Sequence, residues 1–257
     1  MRLLKRWVKG FYMSLSMFCA IPMPIHIWDD AGMNLMLPCF PLIGALIGAI
    51  WWGAAQLLVL GRIHLVLAAA ILTVVPFLLT GFLHLDGYID TSDAVLSRRS
   101  PEDKLRILKD PHLGAFSVIM IAILFLLQFA AAYTVLDGEK AIVLLVVIAT
   151  LSRCCGALSI LSLPAMEQSG YAKMFKQNIR IAHYIFCYLV AIVAVAAAYW
   201  LAGWQGLIVA AATVLGSIGA LAYAYKEFKG TSGDLTGFAL VIGELCGLIA
   251  LGVTPCF

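Results

Sequence analysis

The run His84-Leu85-Asp86-Gly87-Tyr88-Ile89-Asp90-Thr91-Ser92-Asp93 carries three carboxylates at spacings of four and three, directly after a long apolar stretch. On a helix, steps of about 100° per residue place Asp86, Asp90 and Asp93 within one narrow stripe. Like charges arranged so closely repel one another unless cations sit between them. Hard oxygen ligands grouped this way suit Mg²⁺, which takes one or two carboxylates and fills its shell with waters and substrate phosphates. Diphosphates are poor electrophiles until metal ions neutralise their oxygens. The stripe therefore reads as a metal-binding and catalytic set for phosphoryl or phosphate-linked transfer, placed where an apolar span meets water.

Other polar residues could complete such a site. The segment after Asp93 carries Arg98 and Arg99, then Ser100-Pro101-Glu102-Asp103, which reads as an N-cap and the first turn of a short helix. Lys109 and Asp110 lead into the next apolar span. There a cation can hold phosphate and a carboxylate can complete a metal shell or accept a proton, although an ordinary charged flank has the same look. Asp234, in Gly230-Thr231-Ser232-Gly233-Asp234-Leu235-Thr236-Gly237, could close the acidic site from the far end of the chain, or simply cap a glycine-rich loop. Arg153 falls midway along a span, where it faces either an anionic substrate group or Glu244, the other charge within a span. His84 lies on the opposite helical face from the aspartates, as an interfacial packing residue or a catalyst.

Membrane-crossing helices must position these residues. The 257-residue chain is 63% hydrophobic and 12% charged, with a mean hydropathy of +1.00, which excludes an ordinary soluble domain. Seven spans can be drawn, at about 35–60, 64–84, 114–136, 141–163, 183–202, 205–225 and 235–253. The fold expected is all-α: a polytopic integral membrane bundle of about seven transmembrane helices, forming a single domain over 1–257. Gly44 and Gly48 make a small-xxx-small face for close helix packing. Residues 1–34 form an N-terminal interfacial arm, a basic amphipathic helix retained rather than cleaved as a signal peptide. Residues 85–113 form the aspartate-motif loop. With the N-terminus inside, segments 1–34, 85–113, 164–182 and 226–234 hold fourteen of the seventeen Lys and Arg residues. That asymmetry places the aspartates on the cytoplasmic face of a multi-pass protein. The net charge of +3 is scattered through short loops and does not indicate nucleic-acid binding. The seven cysteines read as reduced and structural.

The detail goes beyond the class. His84-Leu85-Asp86-Gly87-x-x-Asp90-Thr91-x-Asp93, Arg98-Arg99 and Lys109-Asp110-x-x-Leu113-Gly114-Ala115-Phe116 resemble the cobalamin synthase family, the adenosylcobinamide-GDP ribazoletransferases. Phe18-x-x-Ile21-Pro22-Met23-Pro24, Phe40-Pro41-Leu42-Ile43-Gly44 with Gly48, and Gly230-Thr231-x-Gly233-Asp234-x-x-Gly237 match in the same order along nearly the whole chain. Ala94 stands where the family usually has Gly, Pro111-His112 where Ser-Arg is usual, and Ala20 where Thr-Arg-type polar residues are common.

The resemblance implies a bacterial inner-membrane enzyme whose active site faces the cytoplasm. It would join adenosylcobinamide-GDP to α-ribazole, or its 5′-phosphate, with Mg²⁺ and release of GMP. Asp86, Asp90 and Asp93 would hold the metal over the diphosphate. Asp110 or Asp234 would complete the shell or assist deprotonation, and Lys109 or Arg153 would steady phosphate charge, with His84 and Arg98 as further substrate-binding residues. The partners implied are the two substrates and the lipid bilayer, with no nucleic acid and with a homo-oligomer allowed. A CDP-alcohol phosphotransferase is the nearest rival, but its Ala-Arg pair is missing here. A small-solute transporter, from a different class, should show matching halves, and none are visible.

Overall fold

The computed structural model describes residues 2–24, 28–138, 140–167, 169–176 and 178–254. Over these residues the regular structure is helical, apart from one isolated bridge between Ala165 and Thr231. The helices are α1 (Arg2–Phe18), α2 (Met36–Leu60, preceded by a short 3-10 helix, Asp30–Leu35), α3 (Leu65–Leu79), α4 (Leu83–Leu96), α5 (Pro101–Ile107), α6 (Ala115–Asp137), α7 (Leu144–Ser162), α8 (Gly170–Phe175), α9 (Ile181–Phe228) and α10 (Gly233–Val253). The expected all-α membrane bundle is what forms.

Five of these segments are long and apolar enough to cross a bilayer: Gly32–Leu60, α6, α7, α9 and α10. The α3–α4 pair passes the same test only jointly, bent by 93° at the break between them. Helix α9 has 48 residues, and at about 1.5 Å per residue it is twice as long as one crossing needs. It breaks at Ala202–Gly203, where Gly203 takes φ 54° and ψ −133°, a conformation that only glycine adopts without strain. The arms then fold back on each other. Tyr188 of the first arm lines one cavity with Val214, Ile218 and Leu221 of the second. At Gly206 the Ala198 carbonyl occupies the place a Cβ would need. Exposed Trp200 and Trp204 flank this turn, as interfacial aromatics do. The spans expected at 183–202 and 205–225 are these two arms.

The span expected at 64–84 is shorter than the sequence suggested. Helix α3 ends at Leu79 because Thr80, Gly81 and Phe82 turn the chain. The Thr80 hydroxyl donates to the carbonyls of Pro76 (3.1 Å) and Phe77 (3.2 Å). The Phe82 N–H closes on the Phe77 carbonyl (2.9 Å), with Gly81 and Phe82 both at positive φ. This is the bond pattern that terminates a helix with its last carbonyls satisfied. Hydropathy continues through Leu85, so periodicity alone could not place the stop. In consequence the expected aspartate loop at 85–113 begins as a helix, α4, lying across the bundle end at a right angle to α3.

Helices α2, α7 and α10 form the buried centre. The expected glycine face is real: side chains at Gly44 or Gly48 would run into the α7 backbone at Ala149 and at Leu145–Val146. Polar atoms also stitch the spans. The Trp51 indole N–H donates to the Leu72 carbonyl (2.8 Å), and the Gln128 amide to the Thr73 carbonyl (3.2 Å).

The basic loops gather at one end of the bundle. Lys104 of α5 pairs with Glu227 at 2.5 Å. The strip 164–166 meets Thr231 through the bonds Met166 N–H to Thr231 O (3.0 Å) and Thr231 N–H to Pro164 O (2.8 Å). At the other end the Lys140 ammonium and the Gln205 amide both reach the Thr254 carbonyl. The charge asymmetry in the sequence thus corresponds to two real faces. The six cysteines among the described residues are unpaired; Cys256 lies outside the described residues.

Candidate active site

Helix α4 brings its carboxylates to the site by crossing the start of α10 at backbone contact. A Cβ at Gly87 would lie 2.7 Å from the Asp234 carbonyl oxygen, and one at Gly237 would lie 3.0 Å from that of His84. Two glycines 150 positions apart, one on each helix, therefore set the approach of two acid-bearing segments. The start of α10 is fixed by Ser232, whose hydroxyl accepts the Leu235 N–H (3.2 Å) and donates to the Asp234 carboxylate (3.3 Å).

Asp86 is exposed, while Asp90, Asp93 and Asp234 are half-buried. Partial burial, then the charges of Asp86, Asp234 and Asp93, push the Asp90 carboxyl up to about 6. Asp86, Asp90, Asp93 and Asp234 bring four carboxylates together, the other three raising the proton affinity of Asp90, and form a donor set suited to a divalent ion. Among the described residues, no three His, Cys, Asp or Glu side chains close round an ion by themselves.

The individual residues divide. Asp93 does structural work as well: its carboxylate accepts the Ser117 N–H (3.3 Å) and fills the space beside Gly114, capping the start of α6. Lys109, Ser169, Ser232 and Asp234 line a cleft of about 60 Å³, so the lysine shares a cleft with one carboxylate of the acidic site. Asp110 does not join the cluster. It is exposed, accepts both the backbone N–H (3.0 Å) and the ring Nδ1 (2.7 Å) of His112, and is held below the usual carboxylate range by those bonds. Arg98 is exposed at positive φ just past the end of α4. Arg153 adopts the alternative pairing: it is buried in α7 and bridged to Glu244 of α10, with the Ser152 hydroxyl donating to the same carboxylate at 3.3 Å.

A cavity of about 280 Å³ opens beside the carboxylates. Asp86, Asp234 and Thr236 border it, and Phe18, Phe40 and Phe175 form much of its wall. His84 lines it too, although the angular count sets His84 opposite the aspartates; Leu83, His84 and Asp86 of the first turn of α4 all border the cavity. The aromatic wall went unread in the sequence. Phe18 and Phe40 sit in motif pieces near the start, whereas Phe175 and Tyr171 lie in a short polar connection that carries no signal.

Residues 10–252 match the family described as cobalamin-5-phosphate synthase. Proteins named adenosylcobinamide-GDP ribazoletransferase are similar along nearly the whole length. One from Clostridium botulinum (strain Alaska E43 / Type E3) is 38% identical over 248 residues, covering 96% of this chain and 98% of the relative. One from Clostridium perfringens (strain 13 / Type A) is 38% identical over 250 residues, covering 97% and 100%. One from Acinetobacter baumannii is 30% identical over 243 residues, covering 91% and 93%. No solved structure matches the chain.

Proposed function

The chain belongs to the cobalamin-5-phosphate synthase family, and on that footing we propose that it joins adenosylcobinamide-GDP to α-ribazole, or its 5′-phosphate, releasing GMP, with Mg²⁺ bound at the α4–α10 junction on the cytoplasmic side of the bacterial inner membrane. The observation that carries this reading is the meeting of Asp86 and Asp90 with Asp234 across the Gly87–Gly237 contact.

In this reaction a ribose hydroxyl of the acceptor attacks the phosphorus next to the cobinamide arm. A new P–O bond forms, the diphosphate P–O bond breaks, and GMP leaves with the bridging oxygen. Asp86, Asp90 and Asp234 would hold Mg²⁺, with Asp93 behind them. Bound there, the ion supplies charge neutralisation of the diphosphate oxygens. Lys109, beside Asp234, steadies phosphate charge from the open side. The hydroxyl proton passes to a carboxylate of the cluster. Asp110 fits that role poorly, because its bonds to His112 weaken it as a base. Arg153 acts from within the membrane by holding α7 to α10, its charge matched by Glu244.

The test uses purified protein in lipid vesicles. Corrinoid product should require both substrates and Mg²⁺, and chelation should abolish it. Because Asp90 gains a proton as pH falls through about 6, the Mg²⁺ concentration for half-maximal rate should rise several-fold between pH 7.5 and about 5.5. Product formed from a CDP-alcohol instead, or full turnover in excess chelator, would refute the proposal.

A further inference from the structure

The cavity at the start of α4 differs in character from the acidic stripe beside it. The Phe18 and Phe40 rings lie 4.5 Å apart, and Phe175 lies 6.3 Å from Phe18. The His84 ring sits edge-on to Phe40 at 5.6 Å and nearly parallel to Phe18 at 6.4 Å. His84 is only 7% exposed, and among the described residues its buried Nε2 has no hydrogen-bond partner. A polar nitrogen left unpaired among phenyl rings is costly, so a ligand that pairs with it binds more tightly than one that cannot. The remaining polar lining, Asp86, Asp234 and Thr236, belongs to the acidic cluster and the first turn of α10. At about 280 Å³ the cavity is near the low end of small-ligand sites, roughly 300–1,000 Å³.

Resting on the reaction proposed above, we propose that this cavity holds the base of the acceptor nucleoside, with the fused aromatic ring among Phe18, Phe40 and Phe175 and its one unsubstituted ring nitrogen accepting a hydrogen bond from His84 Nε2–H. The two substrates bring bases of opposite chemistry. Guanine presents ring N–H, amino and carbonyl groups that each need a partner when buried. The benzimidazole of α-ribazole is apolar except for a single ring nitrogen. Seated among the phenyl rings, the second base pairs its ring nitrogen with the orphan imidazole nitrogen, whereas the first would leave most of its polar groups unpaired there. Seated this way, the nucleoside has its ribose at the polar side of the cavity, next to Asp86 and Asp234, where the attacking hydroxyl is needed.

The test compares wild type, His84→Asn and Phe175→Leu, the last keeping an apolar side chain in the wall. Binding of α-ribazole to detergent-purified protein is measured by titration calorimetry with guanosine as competitor, and KM is measured for each substrate. Each variant should weaken α-ribazole binding about tenfold, the worth of one lost pairing or stacking contact. The KM for α-ribazole should rise with it, while that for adenosylcobinamide-GDP changes less than about twofold, and guanosine should not compete. An unchanged α-ribazole affinity in both variants, a KM effect confined to adenosylcobinamide-GDP, or displacement by guanosine would overturn the assignment. Calorimetry decides this without turnover: a wild type that binds α-ribazole through His84 but forms no corrinoid refutes the reaction and retains the site, whereas one that turns over with unaltered variant binding refutes the site alone.

Discussion

Asp86→Ala and Asp90→Ala are each expected to lower turnover by roughly 10³-fold or more, the several kcal/mol lost with a metal ligand, while the protein still folds. Neither side chain is fully buried, and each faces other carboxylates. Removing one relieves repulsion and breaks no ion pair that holds helices together. Thermal unfolding in detergent should therefore stay at or above the wild-type temperature. Asp93→Ala should behave differently, because it strips the Ser117 N–H of its acceptor; it should lose activity and also about 0.5–2 kcal/mol of stability, as for a lost helix cap. Rates and unfolding temperatures of the three variants check this together. Near-normal turnover of both Asp86→Ala and Asp90→Ala at saturating Mg²⁺ would remove the stripe from the mechanism.

The largest effect on stability should come from the buried pair. Arg153→Met leaves Glu244 as a lone charge inside the bundle and should destabilise the protein by about 3–5 kcal/mol. The double change Arg153→Met with Glu244→Gln removes both charges and should recover most of that loss and most of the activity. Thermal inactivation and turnover of the single and double variants are the readouts. A double variant that is stable yet inactive, with Arg153→Lys raising KM for adenosylcobinamide-GDP, would return Arg153 to the substrate.

What the sequence made legible follows from which forces act locally. Hydropathy is a local sum, so spans 35–60, 114–136, 141–163 and 235–253 match α2, α6, α7 and α10 closely. The charge asymmetry likewise foretold which loops share a face. The end of α3 was not legible, because the bonds of Thr80 and Phe82 stop it within a stretch that remains apolar. Within the site, the angular count aligned Asp86, Asp90 and Asp93, yet it could not show that Asp93 also caps α6 or that Asp110 turns to its own neighbour His112. Those depend on contacts across the fold or on a local turn. Asp234 was offered by its glycine-rich setting, but why it meets the stripe became clear only from Gly87 and Gly237, each of which makes room for the other helix. The Phe18–Phe40–Phe175 wall joins three segments whose aromatic residues look like ordinary core until they surround a cavity.

The most direct test of the central claim is to count GMP against corrinoid product. Purified protein in vesicles is given adenosylcobinamide-GDP, α-ribazole and Mg²⁺, and both products are followed over time for wild type and Asp86→Ala. The account predicts one GMP for each corrinoid joined, with both products absent from Asp86→Ala. Corrinoid formed without GMP, or equal yields from the two proteins, would contradict it.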